Sequence, residues 1–103
     1  MYARFVMFTL GPGKRPFAEK MADQFNAAMK NLNGFKSATF LVDESTGEYG
    51  MLSLWETKAD AESAANALAA GFQQALQGHV QGPPTQRTLE VYEPELGDRK
   101  SVG

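Results

Sequence analysis

The chain has no cysteine and a single histidine. The first absence removes disulfides, thiolate nucleophiles and thiolate-held metals together, and suits a reducing compartment. The second leaves any multi-histidine metal centre short of ligands. A surplus of positive charge is also missing: ten Lys and Arg stand against twelve Asp and Glu, a formal net charge of −2. No global field therefore draws the protein to nucleic acid or to an acidic membrane surface. Long hydrophobic runs are lacking as well, since the N-terminal apolar stretch Phe5–Leu10 stops at Gly11-Pro12-Gly13, too short for a signal region or a membrane span. These absences predict a soluble, cytoplasmic protein with no metal, no membrane and no nucleic-acid partner.

What is present suits one folded domain. At 103 residues and 43% hydrophobic content the chain can bury a single core, expected over residues 1–94 with a polar tail at 95–103. Tyr2–Leu10 is rich in aromatic and branched side chains and ends at a Gly-Pro-Gly turn, which predicts a strand. From Pro16 onward Phe17, Met21, Phe25, Ala28, Met29 and Leu32 recur at spacings of three and four, an amphipathic helix expected to close at Asn33-Gly34. Phe35–Val42 and Tyr49–Glu56 read as two strands joined by the polar loop Asp43–Gly47. Thr57 followed by Asp60 is a capping signal. It opens a second helix whose apolar stripe is Ala61, Ala64, Ala65, Leu68, Phe72 and Leu76. Gly78, Gly82, Pro83 and Pro84 break the chain before a last strand, Gln86–Glu93, which Pro94 ends.

The order β-α-β-β-α-β predicts a ferredoxin-like α+β fold, a four-stranded antiparallel sheet with two helices on one face. The strands, however, are apolar on both parities. Val6, Phe8 and Leu10 alternate with Phe5 and Met7; Phe40 and Val42 with Leu41; Leu52 and Leu54 with Tyr49, Met51 and Trp55. Two helices cover one face only, so the other is expected to meet a second copy of the chain, a homodimer joined sheet to sheet.

Three passages, "FTLGPGK", "NLNGFKSATFLVDE" and "LSLWETKADAE", set in this element order, give a sequence that resembles the antibiotic-biosynthesis-monooxygenase-like (ABM) proteins of the dimeric α/β-barrel superfamily. The resemblance spans roughly residues 2–93 and implies a dimer whose two sheets build a barrel, with a pocket in each subunit between sheet and helices. Some such proteins oxidise polycyclic aromatic molecules with dioxygen and no cofactor. It thus implies a cofactor-independent monooxygenase acting on an aromatic or quinol-type small molecule. A non-catalytic dimeric domain binding a small hydrophobic ligand is the alternative. Haem-degrading members of the family use an Asn, a Trp and a His where Val6, Ala64 and Gln74 stand here, so that activity is not implied.

Candidate site residues follow from chemistry. Trp55 can stack an aromatic substrate and donate its indole N–H, or anchor the strand-helix corner. His79, the lone imidazole, can act as a general base or sit as a solvated loop residue. Phe40 and Phe72 are candidate pocket walls or core side chains. Arg4, mid-strand in apolar surroundings, needs either a carboxylate or an anionic ligand, and Tyr49 offers a hydrogen bond. Trp55 and His79 are the catalytic candidates; Trp55, Phe40, Phe72, Arg4 and Tyr49 the substrate-binding ones. RNA-recognition motifs share the element order, and Tyr49-Gly50 is similar to part of their base-stacking strand. The acidic balance and the missing second aromatic, Met51, argue against that use.

Overall fold

A computed structural model describes residues 1–92. The expected tail 95–103 and the Glu93-Pro94 end of the last strand lie outside the described residues. The elements are β1 (Tyr2–Thr9), α1 (Arg15–Met29), β2 (Phe35–Asp43), β3 (Glu48–Trp55), α2 (Lys58–Leu76) and β4 (Thr85–Glu90). The sheet runs β2-β3-β1-β4, and each neighbouring pair is antiparallel. This is the expected ferredoxin-like arrangement, with β1 and β3 at its centre.

Two boundaries move by more than one residue from their expected places, each for a local reason. The first helix stops at Met29, and residues 30–34 form turns in which Leu32 N–H donates to the Met29 carbonyl at 3.0 Å. Asn31 and Asn33 are poor helix residues because their amides compete for backbone groups, yet Leu32 still packs against the core from the turn. The last strand ends at Glu90, opposite Tyr2. Beyond that point β1 offers only the Met1 carbonyl, which accepts from Val91 N–H at 2.9 Å.

Register assigns the two faces. Arg4, Val6 and Phe8 on β1 and Tyr49, Met51, Ser53 and Trp55 on β3 are buried and share the side on which the helices pack. Met21, Phe25 and Met29 from α1 and Ala61, Ala64 and Leu76 from α2 complete that core. The alanines let α2 lie close to the sheet. Thr57 caps this helix, its hydroxyl accepting from Asp60 N–H at 3.0 Å, which fixes where β3 ends and α2 begins. The opposite side carries Phe5, Met7, Leu41, Leu52 and Leu54. Gly50 sits among them: a Cβ built there would meet Phe5 at 3.5 Å and Leu41 at 3.6 Å.

The β2–β3 turn is built from its own polar groups. One Asp43 carboxylate oxygen accepts from Ser45 Oγ–H at 2.6 Å and from Ser45 N–H at 3.1 Å. The Ser45 hydroxyl is the main reason the Asp43 pKa lies below its ordinary value. Gly47 closes the turn at φ +75°, and its carbonyl accepts from Leu10 N–H at 2.8 Å. A Cβ at this position would overlap the backbone of Gly11. Gly47→Ala is therefore expected to cost about 1–2 kcal/mol for the left-handed conformation alone, with the overlap added to it. At about 4–8 °C per kcal/mol for a domain of this size, thermal unfolding should fall by at least about 4 °C, and further for the overlap. Gly13→Ala has a similar φ, +79°, but open space around its Cβ; it should lose only the conformational part.

Candidate functional site

The helix layer does not reach the outer edge of the sheet. Phe40 and Val42 point to the helix side of β2, opposite Met51 and Tyr49, yet both are exposed. Between them and α1 a cavity of about 180 Å³ opens. An apolar cavity of about 150 Å³ takes benzene, so the space suits a ligand of one ring, or of more where the ligand extends into the mouth. Its walls are mainly apolar, with five aromatic rings among them. Phe8 stacks on Tyr49 at 6.0 Å and meets the edge of Phe72 at 5.7 Å, and Phe72 in turn meets Phe25 at 5.6 Å. Ala22 leaves room where a larger residue on α1 would fill the cavity.

Charge is confined to the mouth. Arg15 pairs with Glu19 at 3.1 Å along α1 and with Glu44 of the β2–β3 turn at 3.2 Å. These hydrogen bonds, Glu19 first and Glu44 second, hold the Arg15 pKa above its ordinary value. Such exposed pairs add little stability. Their effect is positional, tying the helix to the turn beside the opening.

Arg4 is the buried exception. It is 6% exposed, and burial lowers its pKa. Its Nη2 donates to Gln86 Oε1 at 2.6 Å, while Nε has no partner among the described residues. None of the ion pairs there includes it. The expected choice between a carboxylate and an anionic ligand is thus left without the carboxylate within the described part of one chain.

The other sequence candidates separate by position. Phe40, Phe72 and Tyr49 line the cavity. Trp55 does not: it is 0% exposed at the end of β3, donates its Nε1–H to Ser53 Oγ at 2.9 Å and meets Phe35 edge-on at 5.4 Å. His79 stacks on Phe17 at 4.3 Å, in the turn after α2, and does not line the cavity either. Tyr49 bears on the RNA-like reading, because its ring is buried on the helix side of β3 and is turned away from the open face where bases would stack. Among the described residues no three of His, Asp and Glu gather as a metal centre would need, and no helix there is long and apolar enough to cross a membrane.

Sequence reasoning missed Phe8, Phe25, Met51, Arg15, Glu19 and Ala22 as cavity residues. A signal was available for three of them. Arg15, Glu19 and Ala22 follow one another at spacings of four and three, a line on α1 that passes from charge to a small side chain.

No family model matches the chain, and no curated protein matches it in sequence. Solved structures do. One is a Nitrosomonas europaea protein provisionally named an antibiotic biosynthesis monooxygenase, 12% identical, with 90% of this chain and 91% of that one covered at a TM-score of 0.75. A second is SnoaB, a cofactor-independent oxygenase from Streptomyces nogalater, 17% identical over 90% and 95% of the two chains, TM-score 0.72. A third is a monooxygenase from Streptomyces coelicolor in complex with the ligand nanaomycin D, 19% identical over 91% and 89%, TM-score 0.73. At such identities the likeness carries architecture and leaves chemistry to the site. The chain has the fold of the ABM-like proteins.

Proposed function

We propose that the chain is a cofactor-independent monooxygenase, working as a homodimer, that holds a small aromatic or quinol-type molecule in the cavity between α1 and the sheet. The observation that carries this reading is the cavity itself: aromatic walls at Phe8, Tyr49, Phe25 and Phe72, a mouth at Phe40 and Val42, and charge only at the rim. Such a lining binds a flat apolar molecule and excludes water from it. The oxygenases that share the fold support the reaction class. In that chemistry the substrate is itself the reductant: one atom of dioxygen enters the ring system as a carbonyl and the other leaves as water. The substrate must therefore carry an acidic hydroxyl or methylene whose proton can leave. Phe40, Phe72 and Tyr49 are given the contact roles in this reading.

The test is oxygen uptake with a dihydroxynaphthalene and no added metal or flavin, corrected for the uncatalysed rate. Protein-dependent uptake is expected, with one oxygen atom of labelled dioxygen recovered in the quinone product and no hydrogen peroxide released. Ala22→Phe, which fills the cavity, should lower kcat/KM at least about tenfold while thermal stability stays level or rises. Binding without uptake would leave a non-catalytic ligand-binding domain in its place. The absence of both binding and uptake would overturn the cavity reading.

A further inference from the structure

We propose that Arg4 is the anion-recognition group of the cavity, receiving the phenolate, enolate or carboxylate oxygen of a ligand whose rings lie among Phe8, Met51 and Phe72. This rests on the reading of the cavity as an aromatic-ligand chamber, and it adds the ligand's charge. A guanidinium buried in apolar surroundings normally has a carboxylate beside it, because an uncompensated buried cation is costly. Among the described residues the one side-chain partner is a neutral carboxamide, Gln86, and no partner meets the Nε–H donor. An anionic oxygen of a ligand reaching the Nε–H would complete the arrangement.

Position agrees with that role. Gln86 is the cross-strand partner of Val6, and Val6 in turn of Met51. By bonding Gln86, the Arg4 guanidinium leans along the sheet from its own level, opposite Ser53 and Thr88, toward that of Met51. A space of about 20 Å³ lies there, bordered by Arg4, Gln86, Phe25, Met51 and Phe72. It exceeds the ~10–15 Å³ that one water-sized probe fills, so one oxygen atom fits and a ring does not. Phe25, Met51 and Phe72 also line the main cavity, so the two spaces share these three side chains. Met51 is an unbranched thioether that changes rotamer at low cost. A flat ligand with an acidic oxygen at one end can then place its rings against the phenylalanines and its charge on Arg4, where the planar guanidinium offers Nε–H and an Nη–H side by side.

The test compares 1-hydroxy-2-naphthoate with its neutral methyl ester by titration calorimetry. Wild-type protein should bind the acid at least about tenfold more tightly than the ester, and Arg4→Met should bring that ratio to about one. Because Arg4→Met could perturb the fold, the Arg4 Nε–H resonance of the wild-type protein is followed as well. It should shift with the acid and stay in place with the ester. If acid and ester bind wild type equally and leave this resonance unmoved, the assignment of Arg4 is wrong while the ring cavity stands. If neither compound binds at millimolar concentration, the cavity reading falls and the Arg4 assignment falls with it.

Discussion

Trp55→Ala should lower the unfolding free energy by about 3–5 kcal/mol, the largest single-site loss expected in the described core. Nothing of Trp55 is exposed, its ring meets Phe35 edge-on, and it lies where β3 hands the chain to α2. Small domains have about 5–15 kcal/mol in total, so the variant should be largely unfolded near body temperature or lose most of its denaturation midpoint in urea. Circular dichroism is the right readout, because Trp55 is the only tryptophan and its loss removes the usual fluorescence signal. Trp55→Phe separates packing from hydrogen bonding. It keeps most of the ring but leaves the Ser53 hydroxyl, itself buried, without the indole N–H that now reaches it at 2.9 Å, a cost of about 1–3 kcal/mol. A Trp55→Phe protein as stable as wild type but impaired in ligand binding would contradict the packing role and return Trp55 to the site.

Trp55 also shows where sequence reasoning stops. Element order, the Thr57 cap and the two-sided strands were legible because each depends on neighbours a few positions away. Alternation along Tyr49–Trp55 even gave both faces correctly. It could not say which face the helices take at which end of the sheet, since that depends on where α1 crosses. The crossing decides that Tyr49, Phe40 and Phe72 line a cavity, while Trp55, an equally aromatic residue on the same face as Tyr49, is sealed into the core. His79 was singled out for its chemistry, yet its place is fixed by the turn after α2, where its N–H bonds the Leu76 carbonyl at 2.9 Å and its ring stacks on Phe17. Arg4 was visible as a charge in an apolar strand. What the sequence withheld was that no carboxylate among the described residues pairs with it, a three-dimensional fact that only cross-strand register and helix packing determine.

The second large effect belongs to the open face. Phe5 and Leu52 are direct partners at the centre of the sheet, Met7 and Leu54 flank them, and Leu41 and Leu89 stand 47% and 45% exposed at the edges. Helices cover the other side only, and Gly50 keeps the middle of this face low enough for a second surface to approach. We therefore expect two copies to meet here. Leu52→Lys is the sharpest test, because an ammonium at that point would be desolvated by the partner and stands in the same cross-strand row as Arg87, the neighbour of Phe5. Burying it against a like charge and an apolar surface should raise the dimer dissociation constant at least about a hundredfold, seen in sedimentation equilibrium as a fall from two chains to one. Thermal unfolding should become less concentration-dependent at the same time, since association no longer adds to stability. Ala67→Lys, on the exposed side of α2, should change neither. Wild-type protein that sediments as a single chain at micromolar concentration would refute the dimer, and the apolar open face would then need a different occupant to explain why its side chains avoid polarity.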